Sequence, residues 1–133
     1  MKAVAAKLTS GLNLVSKVIA ADNSGARIVK IVGVKGGKVG SGRQQNVKIG
    51  DWVKVSVRKG DLEMKGKVFD AVVVRQKKPY RRTTGERIAF IDNAVALLKD
   101  EKGNPKGTQI KGPVPKEISD KWPQVAKIAQ FIV

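Results

Sequence analysis

Hydrophobic and polar positions alternate most cleanly in Trp52-Val-Lys-Val-Ser-Val-Arg58. A period of two sends Val53, Val55 and Val57 to one face of a strand and Trp52, Lys54, Ser56 and Arg58 to the other. The segment predicts a half-buried strand with a wet, basic side. Ala71-Val-Val-Val-Arg75 shows no alternation, and its β-branched run predicts a buried central strand. Leu14 to Ala21 predicts another strand, and Ala26 to Val34, rich in Val and Ile, predicts a stronger one. Between them Asp22-Asn-Ser-Gly25 reads as a turn, because Asp and Asn bond their own backbone and glycine accepts a positive φ. Lys59-Gly60-Asp61 turns the chain, and residues 65 to 74 carry it back into the central strand. Glu86 to Phe90 and Ala94 to Leu98 predict short strands around Asp92-Asn93. Residues 100 to 107 predict a hairpin turn, with Thr108 to Lys111 as its return strand. Several short strands separated by glycine-rich turns predict a mainly β fold organised as a small closed barrel.

The pattern changes after Gly112-Pro-Val114. Pro115 opens a helix, Glu117 falls in its first turn, and Pro123 stops that helix or starts another. Val125, Ile128 and Ala129 recur at helical spacing, which predicts a face docked on the barrel. Trp122 reads as the anchor that fastens this segment. Residues 1–13 form a lead-in, residues 115–133 a C-terminal helical segment, and the 133 residues together one domain with one core.

Composition narrows the function. A hydrophobic share of 41% supports a folded core, while the net charge of +16 demands an anionic partner. A membrane surface is disfavoured, since the chain has no basic amphipathic helix and no long apolar run. Met1 to Ala21 resembles a signal peptide only superficially, because Lys7, Asn13 and Lys17 interrupt its apolar stretch. A cytoplasmic location is therefore expected. The chain has no cysteine and no histidine. That removes disulfides, thiolate metal sites, the usual general base and the serine–histidine dyad. Ser24 is accordingly a turn residue and not a nucleophile, and Asp51 and Asp61, each beside a glycine, are turn formers. No catalytic residue, metal, cofactor or small-molecule substrate is expected.

Cationic residues concentrate in the stretch that follows the valine run. Arg75, Lys77, Lys78, Arg81 and Arg82 fall within eight residues with no acid among them. Their mutual repulsion would be relieved by a polyanion. Tyr80, in the same stretch, either stacks on an unpaired base or packs on its own hairpin. A second basic segment, residues 35 to 46, places Lys35, Lys38 and Arg43 among glycines. It lacks the spacing of a nucleotide-binding glycine loop, and Lys38 is followed by Val39 where a magnesium-binding hydroxyl would stand. Arg27 and Arg58 are secondary phosphate-binding candidates. From Ala71 to Phe90 there are six Lys or Arg and one Glu, whereas from Ile91 onward there are seven Lys or Arg and five Asp or Glu. The near-balanced last third suits a protein partner better than bare phosphate.

Several segments in order resemble the universal large-subunit ribosomal protein fourteen family. They are Ala21-Asp-Asn-Ser-Gly-Ala-Arg27, Gly50-Asp51, and Ala71-Val-Val-Val-Arg75 followed by Lys77-Lys78 and Arg81-Arg82. Gly85, Phe90, Asn93-Ala94, Lys106-Gly-Thr108, Gly112-Pro-Val114 and Glu117 continue the series. The lead-in and Arg75-Gln-Lys-Lys-Pro-Tyr-Arg-Arg82 look like the archaeal and eukaryotic branch. Thr84 and Gln109 depart from the family pattern. The resemblance implies a five-stranded β-barrel with a projecting basic β-ribbon and short C-terminal helices. It further implies a structural constituent of the large subunit, ribosome-bound, that binds large-subunit rRNA and contributes a bridge to small-subunit rRNA. Neighbouring large-subunit ribosomal proteins and the anti-association initiation factor are the implied protein partners. For that subunit face the candidates are Thr108, Gln109 and Ile110, with Lys116, Lys121 and Lys127.

The expected mechanism is adhesion. About six neutralised phosphates would give a log–log salt slope of roughly −4 to −5, at about 0.7 to 0.9 per phosphate. Replacing Arg81 and Arg82 together by Glu is expected to weaken RNA binding and leave the barrel folded. A free single-strand-binding barrel would need more stacking aromatics than the 5% present. A basic architectural DNA protein would explain the charge but not the ordered family segments.

Overall fold

The computed structural model describes residues 6–36, 41–100 and 102–133. Its first two strands are short, β1 (Ala6–Lys7) and β2 (Leu12–Asn13). There follow β3 (Lys17–Ala20), β4 (Ala26–Val34), β5 (Asn46–Val47), β6 (Trp52–Gly60) and β7 (Val68–Arg75). Next come β8 (Tyr80–Arg82), β9 (Arg87–Ile88), β10 (Ala94–Leu98) and β11 (Ile110–Val114). The chain ends with helices α1 (Lys116–Lys121) and α2 (Pro123–Lys127) and a last strand, β12 (Ala129–Ile132).

Five strands close a barrel in the order β10-β3-β4-β6-β7, with β7 returning to β10. Only the β10–β3 seam is parallel. Direct partners in antiparallel strands share a face, so Ile31↔Val55, Val53↔Ala71, Val73↔Val95 and Ala71↔Leu97 form one interior set. All of these are fully buried. The predicted alternation in β6 holds: Val53, Val55 and Val57 are buried and Lys54 and Arg58 are exposed.

The valine run of β7 has no alternation because both of its faces are covered. Val72 and Val74 lie on the outer face with Trp52, which pairs in register with Val72, yet both valines are fully buried. Trp122, between α1 and α2, meets the Trp52 ring edge-on at 5.6 Å and donates its indole N–H to the Gly50 carbonyl at 2.9 Å. The anchoring role read for Trp122 thus has a definite seat on the barrel wall. Pro115 and Pro123 stand at the helix starts, as predicted.

Several boundaries differ from expectation. The first barrel strand begins at Lys17, since residues 14–16 form a turn. Thr108 to Lys111 is not the return strand of a hairpin. The 99–106 turn closes through Lys99 N–H to Asn104 and Lys106 N–H to Leu97, and the chain then leaves for β11. That strand pairs in parallel with β12, which occupies the end of the segment read as helical. The lead-in is stitched to the rest: β1 pairs with β8, and β2 with β5.

Candidate nucleic-acid interface

The basic stretch after β7 forms a ribbon, β8 and β9, that β1 widens to three strands. Its root is held by the lead-in. Gln76, fully buried, donates its amide to the Thr9 and Lys78 carbonyls, and the Thr9 hydroxyl donates to the Pro79 carbonyl at 2.6 Å. Asn93 accepts the Lys77 N–H at 2.8 Å. Lys78 donates its ammonium to the Ser10 carbonyl at 3.3 Å and stays exposed, as does Lys77.

Within β8 the period of two divides the cluster. Arg81 faces solvent, whereas its neighbours Tyr80 and Arg82 face inward and are buried. Arg81 stands in register with Lys7 on one side and Arg87 on the other, and all three are exposed. Three cations in adjacent register positions form one rung about 10 Å long, from a strand spacing of about 4.8 Å. Like charges placed directly opposite destabilise a sheet. Neither Lys7 nor Arg87 was among the candidates read from the sequence, because the register that aligns them is a tertiary property.

Arg75 and Arg82, expected to face phosphate, are buried, and Tyr80, expected either to stack on a base or to pack on its hairpin, is packed inward. The Arg82 guanidinium forks onto Glu117 at 2.7 and 3.3 Å and donates to the Val133 carbonyl at 2.6 Å. The Tyr80 hydroxyl donates to the same carboxylate at 3.3 Å. Burial lowers the basicity of Arg82, but its bonds to Glu117 and the charge of that group outweigh this and raise its pKa. Burial, and then the Glu117 charge, push the Tyr80 hydroxyl up to about 12. Arg75 forks onto Asp92 at 2.8 and 3.2 Å and donates to the Lys111 carbonyl at 2.7 Å. Its guanidinium lies where a Cβ on residue 112 would stand, which is why a glycine occupies that position. These two arginines spend their donors on internal acceptors, tying the ribbon and β7 to the C-terminal segment.

In the glycine-rich segment, Lys35 is exposed, with its ammonium over the Trp52 ring at 3.4 Å from the centroid. Arg43 is exposed on its loop, and Lys38 lies outside the described residues. Arg27 and Arg58 come together, on adjacent strands β4 and β6, at the rim of one pocket.

The Asp22–Gly25 turn does more than reverse the chain. Asp22 is buried and accepts from Ser24 at 2.7 Å and from the Leu97 N–H at 2.9 Å. Burial raises its pKa, and the Ser24 and backbone hydrogen bonds partly oppose the shift. Asn23 accepts the N–H groups of Thr108 and Gln109 at 2.8 and 3.2 Å and donates to the Thr108 hydroxyl at 2.8 Å. Thr108 and Gln109 are thereby presented to solvent on a fixed loop. Ile110, expected beside them, is fully buried in β11 because its backbone bridges Asp22 and pairs with Ala129, so it is a core residue. Lys116 and Lys127 are exposed. Lys121 is half-buried and lines a cleft of about 510 Å³ with Lys102, Gly103 and Trp122, which neither Thr108 nor Gln109 enters.

A closed five-stranded barrel with two short helices and a net charge of +16 defines a class, the small cationic β-barrel protein. The model of the family described as ribosomal protein L14p/L23e matches residues 11–133. The chain is 51% identical to large ribosomal subunit protein uL14 of Nanoarchaeum equitans, over the whole of both chains. It is 45% identical to the protein of that name from Methanocorpusculum labreanum and 43% to that from Thermoplasma acidophilum, again over the full length of each. The chain therefore belongs to the L14p/L23e family and is a structural ribosomal protein, not an enzyme. Among the described residues no helix is long and apolar enough to cross a membrane.

Proposed function

We propose that the chain, as a structural constituent of the large ribosomal subunit in translation, binds rRNA through the outer face of the β1-β8-β9 sheet. The Lys7–Arg81–Arg87 rung carries this reading. A sheet that aligns three exposed cations gains no stability from them, and a polyanionic backbone supplies the missing counter-charge. Lys77 and Lys78, at the root of the same ribbon, extend the grip, and Arg43 adds a further contact. Arginine forks onto a phosphate with two donors, while lysine acts as a point charge. The loop that Asn23 holds, with Thr108 and Gln109 outward, serves the subunit face. There small-subunit rRNA, neighbouring ribosomal proteins or the anti-association initiation factor would dock, and Lys116, Lys121 and Lys127 are the adjoining candidates on the helices.

The test is sedimentation of the tagged chain in gently lysed extract, followed by washes of rising salt. The unaltered chain should travel with large subunits through a moderate wash. Arg81→Glu with Arg87→Glu should be released at lower salt. Retention of that variant equal to the unaltered chain would remove the ribbon from the interface. The double change Arg81→Glu with Arg82→Glu does not test the interface cleanly, because the new carboxylate at position 82 would face Glu117 and unfasten the C-terminal segment.

A further inference from the structure

Arg27 and Arg58 are the extra residues of two successive bulges. Between the pairs Ala26↔Gly60 and Ile28↔Lys59, β4 carries one residue too many, and that residue is Arg27. Between Ile28↔Lys59 and Val29↔Val57 the surplus lies on β6, and it is Arg58. Each bulge interrupts the ladder and sharpens the local twist, and both arginines stay exposed there. Here both arginines line one concavity of about 320 Å³, completed by Lys59, Gly60, Asp61 and Lys65.

Four basic residues therefore share this lining with a single acidic one. Asp61 is turned toward the neighbouring turn, its Oδ2 2.7 Å from the place a Cβ on Gly25 would take. Among the described residues no ion pair joins any of the four cations to an acid. The loop that supplies Lys65 is anchored, with its N–H on the Asp61 carbonyl at 3.0 Å and the adjacent Met64 buried. Concave walls that gather like charge focus the field and favour a counter-ion of matching size. Arginine forks onto phosphate oxygens with two donors, and lysine adds a point charge beside it.

We propose that this pocket is a seat for a phosphodiester group of an RNA backbone, separate from the ribbon. The proposal rests on the RNA-binding reading above and extends it to a second place on the molecule. β7 runs from the turn beside the pocket to the root of the ribbon over eight residues, about 26 Å at roughly 3.3 Å per residue. The protein would thus hold two points of RNA backbone at opposite ends of one barrel strand.

The experiment uses the full chain with inorganic phosphate and with a short mixed-sequence single-stranded RNA. Phosphate should shift the side-chain NMR signals of Arg27 and Arg58 to saturation, and the RNA should displace it. Arg27→Lys with Arg58→Lys keeps the net charge but removes both forks, and should weaken phosphate binding about tenfold. Arg27→Gln with Arg58→Gln should make the RNA salt slope shallower by about 0.7, the share of one phosphate on a single strand. Both side chains are exposed, so the fold should persist; Lys65→Gln, off the strands, is the second variant and should weaken phosphate binding in the same direction. Shifts that never saturate and spread over the whole basic surface would overturn the seat. Saturable phosphate that RNA fails to displace would overturn its assignment to RNA and leave a free phosphate compound as occupant. Arg81→Glu with Arg87→Glu is measured alongside. An unchanged salt slope in the pocket variants alone sinks the seat, whereas unchanged slopes in both sets sink RNA binding altogether.

Discussion

Removing Glu117 should cost more stability than any comparable change on the surface. Glu117 is 2% exposed, and its carboxylate accepts three hydrogen bonds, two from Arg82 and one from Tyr80. Glu117→Ala leaves the Arg82 guanidinium, 7% exposed, with the Val133 carbonyl as its remaining acceptor and strands the Tyr80 hydroxyl. Breaking a buried pair from one side costs about 3–5 kcal/mol. With a urea dependence of about 2 kcal/mol per molar, the unfolding midpoint should fall by about 2 M. Removing all the polar partners at once should behave differently. Glu117→Leu with Arg82→Met and Tyr80→Phe leaves no orphan and should recover most of the loss, because buried ion pairs replaced by apolar groups are close to neutral. The chain has one tyrosine, so tyrosinate absorbance reports this site alone. The hydroxyl should titrate at about 12 in the unaltered protein and fall toward its ordinary 10.0 in Glu117→Ala. Because the folded value is the raised one, stability from the protonated hydroxyl is complete below 10.0 and is lost as pH climbs to about 12. A tyrosine titrating at its ordinary value in the unaltered protein, together with an unmoved urea midpoint in Glu117→Ala, would refute the whole reasoning.

Two other tests address the Asp22–Gly25 turn. Asp22 has a raised pKa in the folded state, so its contribution is present in full below 3.8 and declines as pH rises through the raised value. The stability difference between the unaltered chain and Asp22→Asn should therefore move in favour of the unaltered chain as pH falls from neutral toward that window. Urea midpoints measured across a pH series check this, and a difference that stays flat contradicts the burial. Asn23→Ala removes the acceptor for Thr108 and Gln109 and should cost about 1–2 kcal/mol, since water replaces only part of each bond. Amide hydrogen exchange should then accelerate at those two residues and little elsewhere; exchange left unchanged would mean the loop is held by other contacts.

How far the sequence reaches is best seen in β6 and β8. In β6 the alternation of Val with Lys, Ser and Arg was enough to assign both faces, because a barrel wall covers one side and water the other. The same period runs through Tyr80-Arg81-Arg82, but charge density masked it: five cations in a row of eight read as one phosphate grip. Nothing local distinguishes an arginine that meets RNA from one that meets a buried glutamate 35 residues later. Glu117 was visible as a helix-start residue, and its second role depends on where α1 lands.

By itself, then, the sequence determined that this is a basic, mainly β chain without histidine or cysteine, with its turns at glycines and its helices opened by prolines. Those features follow from backbone sterics, side-chain periodicity and net charge, all of which act over a few residues or over the whole composition. Only the tertiary structure decided which cations are free. Strand register set Lys7 and Arg87 beside Arg81, two bulges put Arg27 and Arg58 on the lining of one pocket, and docking of the C-terminal segment buried Arg75 and Arg82. Pairing between residues distant in sequence is chosen by packing and hydrogen-bond satisfaction across the closed barrel, and no local pattern encodes it.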